Sequence, residues 1–484
     1  MRTDPQAHRP SMIPLGVSEV LQAVSGIALE KGSCREVTGV VVHSGLCKEG
    51  VLFVALEGER TDGHAFLDEA LQKGALGVLG RLDKLTRWMR HAAPVNGWII
   101  GCKDPLSALG AIAKAVRSKS KAPMVAVTGS SGKTTTKEMV ACVLGAAYNV
   151  HKNPGNYNNA LGVPLALFEL EAAHEVSVLE LGMSKKGEIA YLSDIVAPDV
   201  GILTNVQPAH LEGLGGLEEV KEAKAELLKG MNPETGMFVT CMDNPFALEV
   251  ALRFPGERLL VSMKTKADLY LKGAPIWDGK AMRARLIGPG GGMFELALPF
   301  PGEHLVCDAM IALAVGARLG VPLHDGLQRL SDFQLPSLRF ETRTLPRGGL
   351  VVFDAYNANP ASMEASLKAF CMLAESLTKV VVLGDMLELG AETEHYHRKL
   401  GAFVAGLGIQ THCIGNFAPC IVEGAKAFDP SCEIYAYQKD AQEDLSIALS
   451  RIIHHGSALL LKGSRANRLE DLLECIENNQ LSKE

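Results

Sequence analysis

Short apolar runs and amphipathic stretches alternate along most of the chain. In the first part, the runs VVV (40–42) and LFVAL (52–56) predict strands. AFLDEALQKGA (65–75) predicts a helix that ends at a glycine, and the strand LGVLG (76–80) follows it. This stretch therefore predicts a small α/β unit.

The second stretch repeats the alternation on a larger scale. PLSALGAIAKAVRS (105–118) carries apolar residues at helical spacing and predicts an amphipathic helix. VSVLELG (176–182) and DVGILTNV (199–206) predict buried strands, and LEEVKEAKAELLKGM (217–231) predicts a helix. Such alternation predicts a mostly parallel sheet with helices on both faces.

Residues 269–302 break this pattern. They predict a β-meander or a set of hairpins, with PGGG (289–292) as a turn. The segment HLVCDAMIALAVGARLG (304–320) returns to a helical pattern. The antiparallel insertion should therefore sit inside the second unit.

The third stretch predicts another doubly wound α/β unit. Its candidate strands are VVFDAY (351–356), KVVVLGD (379–385), HCIG (412–415) and ALLLKGS (458–464), with helical segments between them. Taken together, the pattern predicts an α/β protein whose domain boundaries lie near 103 and 336.

Length and composition agree with several globular α/β domains. The 484 residues predict roughly three domains. Apolar residues make up 47% and charged residues 21%, which excludes general disorder. Acidic residues exceed basic ones, 55 to 48, so binding to nucleic acid or to an anionic membrane is disfavoured.

Cysteine use and the start of the chain favour a reducing, cytoplasmic setting. The 11 cysteines are scattered and include no CxxC pair, so a disulfide framework is not expected. The first 16 residues contain no apolar segment typical of a secretory leader. No apolar run approaches 18 residues, so no membrane span is expected.

The strongest local motif is VTGSSGKTTTKEMV (127–140), a buried strand followed by a glycine-rich turn and a helix. This is the order that a P-loop needs: Gly129 and Gly132 let backbone N–H groups face one point, and Lys133 adds a charge. Thr134 can place a hydroxyl on Mg²⁺. The full pattern is not met, because its first glycine position is Val127. A strand–turn–helix with a surface lysine is the alternative.

Three further residues occupy places where such a site would need a metal ligand or charge. Glu180 ends one strand, and His210 follows the next strand in a loop. In a doubly wound sheet both positions face the crevice of the P-loop. Lys224 lies on the following helix. By position alone, a solvated strand end, a solvated loop histidine and a surface lysine remain open.

Two amide-rich segments and one basic loop could bind polar ligands. GNYNNALGVP (155–164) is rich in side-chain amides and glycine, and FDAYNANPASM (353–363) places amides after a strand. Both could bind a polar ligand or simply build turns. Asp354 ends its strand and could accept ribose hydroxyls. KGSRANRLE (462–470) could hold a carboxylate or phosphate, or be a plain βα turn.

In combination these motifs resemble the Mur ligase family. The matching strings are, in family order, TGSSGKT, GNYNNALGVP, LELGMSKKGEIA, AHLEGLGG, EAKAEL, PFPGEH, AYNANP, LGDMLELG and LLKGSR. One such string is a weak signal, but nine in order are specific. The resemblance runs from about Val37 to Leu472. Within the family, YNANP and GDMLELG favour the member that adds D-alanyl-D-alanine.

The resemblance implies three domains and one reaction. An N-terminal domain (1–103) would bind the UDP-sugar, a central P-loop domain (104–335) would bind ATP, and a Rossmann-like domain (336–484) would complete the site. ATP would phosphorylate the terminal carboxylate of UDP-N-acetylmuramoyl-tripeptide. The amine of D-alanyl-D-alanine would then attack the acyl phosphate and release phosphate. The family is usually monomeric.

The resemblance also implies roles for individual residues. The implied ATP contacts are Gly129, Ser130, Ser131, Gly132, Lys133, Thr134, Thr135, Asp308, Arg339 and Asp354. The implied Mg²⁺ ligands are Thr134, Glu180, His210 and Lys224, the last as a carbamate, and Lys133, Glu180, His210 and Lys224 form the implied catalytic set. The implied substrate contacts are Ser44, Asn158, Asn159, Asn357, Asn359, Lys462, Ser464 and Arg465.

The chain departs from the family pattern in two places. The family usually shows D-S-R where the uridine diphosphate lies, and here the sequence is His43-Ser44-Gly45, so only Ser44 matches. The helix after PFPGEH usually carries an asparagine near the adenine, and here it carries Asp308. An ionised aspartate cannot donate the amide hydrogen bond, so the adenine contact must differ.

Three competing interpretations fit the motifs less well. A folate polyglutamate ligase would share the ATPase half, but YNANP argues against it. A regulatory P-loop switch would need a guanine-specificity motif such as NKxD, which the chain lacks. A degraded homologue that only binds ligands would not need Lys133, Glu180, His210 and Lys224 intact.

Overall fold

The computed structural model describes residues 12–92 and 96–481. Three large sheets follow one another along these residues, and parallel strand pairs dominate each of them. The predicted α/β class is therefore confirmed. Most of the stretch on which the missing leader was predicted, residues 1–11, lies outside the described residues.

The first large sheet has five strands in the order β2-β7-β6-β5-β4, of which β4 to β7 are parallel. In the same part of the chain, β1 and β3 form a separate two-stranded antiparallel sheet. The strands are β1 (Leu15–Gly16), β2 (Ile27–Glu30), β3 (Glu36–Val37), β4 (Gly39–Val41), β5 (Val51–Val54), β6 (Gly77–Arg81) and β7 (Trp98–Cys102). The helices are α1 (Val17–Val24), α2 (Leu67–Gln72) and α3 (Leu82–Met89).

The second sheet has ten strands, and its parallel core is continued by the predicted antiparallel insertion. Its strands are β8 (Met124–Thr128), β9 (Val150–Lys152), β10 (Val176–Glu180), β11 (Val200–Leu203), β12 (Met237–Cys241), β13 (Glu257–Ser262), β14 (Leu269–Leu271), β15 (Ile276–Trp277), β16 (Met282–Ile287) and β17 (Met293–Leu298). The helices around it are α4 (Pro105–Lys119), α5 (Lys133–Leu144), α6 (Gly162–Leu167), α7 (Glu188–Val196), α8 (Leu211–Leu214), α9 (Leu217–Ala225), α10 (Pro245–Arg253), α11 (Glu303–Arg318) and α12 (Leu323–Ser331).

The strand order places the P-loop at a switch point of this sheet. β8 lies between β10 and β11, although it precedes both in the chain. All three strands are buried along their whole length, as a parallel sheet covered on both faces requires. The register pairs Glu180 with Val127 and Leu203 with Thr128. The segments that follow these strands therefore open into one crevice.

The third sheet has six strands in the order β18-β19-β23-β20-β21-β22, all parallel except β18. Its strands are β18 (Glu341–Thr344), β19 (Leu350–Asp354), β20 (Thr378–Gly384), β21 (Gln410–Ile414), β22 (Ile434–Tyr437) and β23 (Ser457–Lys462). Its helices are α13 (Pro360–Leu373), α14 (Thr393–Gly406), α15 (Ala418–Phe428), α16 (Gln442–Ile452) and α17 (Leu469–Leu481).

The helix predicted over 217–231 is shorter than its pattern. α9 ends at Ala225, and a 3₁₀ helix continues over Glu226–Gly230. The reason is a set of contacts with α7. The Glu226 carboxylate accepts hydrogen bonds from the Gly187 and Ala190 N–H groups, and the Ser193 hydroxyl donates to the Leu227 carbonyl at 2.7 Å.

The predicted boundaries at 103 and 336 stay predictions. They fall in two segments, 103–104 and 332–340, that carry neither helix nor strand. Within the described ranges, no helix is long and apolar enough to cross a membrane.

Candidate active site

A cavity of about 920 Å³ opens where the carboxyl ends of β8, β10 and β11 face the third sheet. Most of the residues predicted from the motifs line it: Ser130, Ser131, Gly132, Lys133, Thr134, Thr135, Asn158, Asn159, Glu180, His210, Asp308, Arg339, Asp354, Asn357, Asn359 and Lys462. The structure therefore brings together residues up to 332 positions apart, from Ser130 to Lys462.

The turn after β8 requires both of its glycines. Gly129 has φ +153°, and a Cβ there would lie 1.8 Å from the Thr204 hydroxyl. Gly132 has φ +79° and precedes the first residue of α5. Residues that carry a side chain rarely adopt these φ angles. The turn thus brings the start of α5, with Lys133 and Thr134, to the wall of the cavity, where a helix N-terminus favours an anion.

Lys133 points back into this turn. Its Nζ donates to the Gly129 carbonyl at 2.9 Å. Burial lowers the pKa of the Lys133 ammonium group, and the negative charge of Glu180 opposes this shift. A cation held in this position is well placed to neutralise a bound phosphate.

Thr134 and Glu180 form a buried pair whose side-chain oxygens can bind a metal ion. The Thr134 hydroxyl donates to Glu180 Oε2 at 2.7 Å, and Asn158 Nδ2 donates to Glu180 Oε1 at 2.7 Å. Asn153 fixes the strand end, because its side chain bonds both the N–H and the carbonyl of Glu180. The carboxylate is therefore rigid and 2% exposed.

His210 meets a carboxylate from the third sheet. Its Nδ1 lies 2.5 Å from Glu388 Oε2. Both residues have positive φ, +57° for His210 and +63° for Glu388, a strained conformation for residues other than glycine. The hydrogen bond to His210 lowers the pKa of Glu388. This contact leaves the other ring nitrogen, Nε2, to act on a ligand.

Lys224 is a buried amine without a partner among the described residues, since neither a hydrogen bond nor an ion pair joins it to them. It is 1% exposed. Burial lowers its pKa well below the ordinary value, and the nearby charge of Lys133 lowers it further. By contrast, Lys221 on the same helix pairs with Glu218 and, at 2.7 Å, with Glu249. Lys224 is therefore a buried amine with a lowered pKa and not a surface cation.

Arg339 reaches the P-loop helix from the far side of the cavity. Its Nη2 donates to the Thr134 hydroxyl at 2.8 Å, and its guanidinium lies 4.4 Å from the centre of the Tyr356 ring. Leu338 and Phe340 on either side of it have φ of +63° and +54°. The chain is thus bent sharply around Arg339, which holds the guanidinium in the cavity.

Asp354 and Lys462 end neighbouring strands and pair with each other. Their Cα atoms are partners in the β19–β23 register, and Lys462 Nζ lies 3.1 Å from Asp354 Oδ2. Lys462 also donates to the Asn357 carbonyl at 2.7 Å. Burial lowers the pKa of Lys462, and Asp354 opposes this shift. The pair gives this wall of the cavity both signs of charge.

Asn359 has two contacts of its own. It caps the start of α13, where Oδ1 accepts from the Ser362 N–H at 2.9 Å, and its Nδ2 donates to the Ser131 hydroxyl at 2.8 Å. Asn159 likewise accepts from two N–H groups at the start of α6, those of Leu161 and Gly162. Their substrate roles stay predictions.

Three of the predicted substrate contacts do not line the cavity. Ser44 follows β4 in the first sheet, where its hydroxyl is hydrogen-bonded to Glu69. Ser464 accepts from the Leu387 N–H at 3.2 Å and so supports the loop that carries Glu388. Arg465 is exposed and pairs with Glu470 at 3.0 Å.

Sequence reasoning missed Glu388, Asn205 and Tyr356, which all line the cavity. Asn205 Oδ1 accepts from the Ser131 N–H at 3.0 Å and so shapes the P-loop. Glu388 lies inside LGDMLELG, a string that carried the family resemblance without a role for its second acid. The contact with His210 could not be predicted because the two residues lie far apart in the sequence.

The site suits a magnesium ion that is bound together with phosphates. Across residues 12–92 and 96–481, no three His, Cys, Asp or Glu side chains gather as a self-sufficient metal site. Mg²⁺ usually keeps several waters and takes one or two protein oxygens plus substrate phosphates. The hydroxyl of Thr134 and the carboxylate of Glu180 fit that need.

Comparison with known proteins agrees with this geometry. The UDP-N-acetylmuramoyl-tripeptide–D-alanyl-D-alanine ligase of Bacillus subtilis (strain 168) is 34% identical over 438 residues, covering 89% of this chain and 91% of that protein. The enzyme of the same name from Escherichia coli (strain K12) is 31% identical over 438 residues, with the same two shares, 89% and 91%.

Solved structures match over nearly the whole fold. A crystal structure of MurF from Acinetobacter baumannii gives a TM-score of 0.85 at 29% identity, covering 97% of this chain and 100% of that one. MurF ligase from Thermotoga maritima, in complex with ADP, gives a TM-score of 0.78 at 30% identity, covering 92% and 98%.

Family models match in the same order as the sheets. The Mur ligase middle domain matches residues 127–316, and the Mur ligase, glutamate ligase domain matches residues 338–465. The chain therefore belongs to the Mur ligase family, in the group of the UDP-N-acetylmuramoyl-tripeptide–D-alanyl-D-alanine ligases.

Proposed function

We propose that the chain is an ATP-dependent ligase that joins D-alanyl-D-alanine to UDP-N-acetylmuramoyl-tripeptide through an acyl phosphate. One observation carries this proposal: a P-loop with Lys133 and a buried Thr134–Glu180 pair shares a cavity with Arg339 and the Asp354–Lys462 pair of the third sheet. The names of the relatives supply the substrates.

The reaction needs to bring two anions together. A carboxylate oxygen must attack the γ-phosphorus of ATP, so the repulsion between carboxylate and triphosphate must be offset. Lys133 and the P-loop N–H groups take the phosphates, and Arg339 adds a guanidinium from the opposite wall. When it no longer pairs with Lys462, the Asp354 carboxylate can accept hydrogen bonds from ribose hydroxyls.

Thr134, Glu180, His210 and Lys224 would hold the magnesium associated with ATP. Lys224 contributes as a carbamate, which turns the partnerless amine into an anionic oxygen donor. The lowered pKa of this buried amine supports the modification, because carbon dioxide adds to the uncharged amine and not to the ammonium form. The bound ion would neutralise phosphate charge in the transition state.

The remaining predicted contacts divide between the two other substrates. Ser44 and the residues 1–103 take the nucleotide-sugar, while Asn158 and Asn159 contact its peptide. Asn357, Asn359 and the loop of Lys462, Ser464 and Arg465 take the incoming dipeptide. The chain acts as a monomer in the cytoplasm on diffusible substrates.

Transfer of oxygen tests the acyl phosphate directly. The terminal carboxylate of UDP-N-acetylmuramoyl-tripeptide is labelled with ¹⁸O, and the released phosphate is analysed by mass spectrometry. Attack of the amine on an acyl phosphate breaks the carbon–oxygen bond, so the phosphate should carry one labelled oxygen. Unlabelled phosphate formed alongside the amide product would contradict the proposal.

A further inference from the structure

Asp308 lies against the turn of the P-loop. It belongs to α11, which packs beside α5, and it is 7% exposed. A Cβ on Gly132 would lie 3.1 Å and 3.2 Å from its two carboxylate oxygens. The carboxyl group therefore lies beside the P-loop turn, and it lines the same cavity.

The surroundings of Asp308 do not compensate a negative charge. Among the described residues, none forms an ion pair with it; Arg339 lowers its pKa through its charge, but its guanidinium is engaged with Thr134. The Thr136 hydroxyl on α5 also acts on its pKa. The neighbouring Cys307 thiol in turn interacts with Cys241, the last residue of β12, and with Asp243. Burial raises the pKa of Asp308 to about 7, against which Thr136 and Arg339 act only partly.

Nucleotide binding must increase this imbalance. The triphosphate brings negative charge to the P-loop, beside a carboxyl group that already loses solvation by burial. An ionised Asp308 would repel it. A protonated Asp308 would not, and it would also offer one donor and one acceptor, as the amide of an asparagine does.

We propose that Asp308 makes nucleotide binding proton-linked: ATP binds the form of the site in which Asp308 is protonated, and the ionised form takes up one proton with the nucleotide. Asp308 is then the residue that sets nucleotide affinity above neutral pH. This inference rests only on the ATP-binding part of the proposed function.

Calorimetry of MgATP binding in buffers of different ionisation enthalpy measures the uptake. At pH 8 the wild-type chain should take up close to one proton. Asp308→Asn, which keeps the shape and cannot ionise, should lose that uptake. With a pKa of about 7, roughly one site in ten is protonated at pH 8, so Asp308→Asn should bind about tenfold more tightly there and equally at pH 6.

Asp243→Asn is the matched control, because Asp243 is an acid of the same cavity whose oxygens already accept from Ser262 and Met263. It should keep the proton uptake. Equal uptake by the wild type and Asp308→Asn would overturn the inference. Weaker binding by Asp308→Asn at every pH would also overturn it, because the carboxylate would then serve the cation.

The wild type alone offers a second test, which does not depend on how any variant folds. Its dissociation constant for MgATP should rise about tenfold between pH 6 and pH 8, and a flat profile would overturn the inference. Absence of MgATP binding would overturn the proposed function as well. Binding without proton uptake by Asp308 would overturn this inference alone.

Discussion

Lys133 places its ammonium group inside the P-loop turn, 2.9 Å from the Gly129 carbonyl. Lys133→Ala should therefore lower ATP turnover by at least about 100-fold, because the phosphates lose their buried cation. Lys114→Ala removes an exposed lysine that pairs with Asp194, and it serves as the control. Phosphate release by the two variants decides, and near-normal turnover in Lys133→Ala would refute the P-loop assignment.

Lys224 and Lys221 offer a matched comparison on one helix. Lys224→Ala should be inactive and should regain part of its activity with added short carboxylic acids, because these can occupy the place of a carbamate. Lys221→Ala removes a lysine that is already neutralised by Glu218 and Glu249 and should show no such rescue. Full activity of Lys224→Ala without additives would show that the amine has no role in the reaction.

Asp308 should also affect stability as a function of pH. Its pKa is about 7 in the folded chain, against about 3.9 for an unfolded aspartate. Between these values the unfolded chain releases the proton while the folded chain keeps it. The folded state therefore becomes less stable relative to the unfolded state as the pH rises towards 7. Asp308→Asn lacks this penalty. Thermal unfolding should show its advantage growing from pH 5 to pH 8, and a constant difference would contradict the shift.

At the scale of elements, the loop after β20 closes onto the loop after β11. The Glu212 N–H donates to the Glu388 carbonyl at 3.1 Å, and a Cβ on Gly390 would lie 3.2 Å from Glu212 Cα. With the contact between Glu388 and His210, this loop joins the two sheets. A carboxylate on the second ring nitrogen commonly fixes the orientation of a ligating histidine.

Glu388→Gln should keep the loop but weaken its hold on His210. We expect turnover to fall about 10–100-fold, the usual effect of removing the carboxylate partner of a ligating histidine. The affinity for the nucleotide-sugar should change little. Glu392→Gln, on the short turn that follows, is the control. Kinetics at saturating and limiting nucleotide-sugar separate the two effects, and equal losses in both variants would argue for a general disturbance of the loop.

Sequence patterns predicted the central strands of the sheets but missed some edge strands and the end of one helix. β8, β10 and β11 were predictable because buried parallel strands are continuous apolar runs. The edge strands β18 and β22 carry mostly exposed or partly exposed residues and gave no such signal. The end of α9 at Ala225 depends on Glu226 and Ser193, whose bonds to neighbouring segments no local pattern reveals.

The same division applies to the candidate site. The P-loop and Glu180 follow from local motifs and from strand order. The pairing of Glu388 with His210 spans 178 positions and depends on how the third sheet faces the second. The partnerless state of Lys224 is also invisible in the sequence, where Lys221 and Lys224 look alike.

At the scale of the whole molecule, side-chain hydrogen bonds join the second and third sheets across the cavity: Arg339 with Thr134, Asn359 with Ser131, and Glu388 with His210. The pairs are three among the residues that the structure describes. Two of them occupy the P-loop residues Thr134 and Ser131, which are proposed to bind ATP. We therefore predict that nucleotide binding replaces these two contacts.

Dependence of phosphate release on both substrates tests this account most directly. ATP is supplied with UDP-N-acetylmuramoyl-tripeptide and D-alanyl-D-alanine, singly and together, and phosphate and product mass are measured. We predict sustained release only with both substrates, together with a pentapeptide product. Release that is independent of them, or none at all, would contradict the assigned substrates and direct attention to other carboxylates for the first sheet.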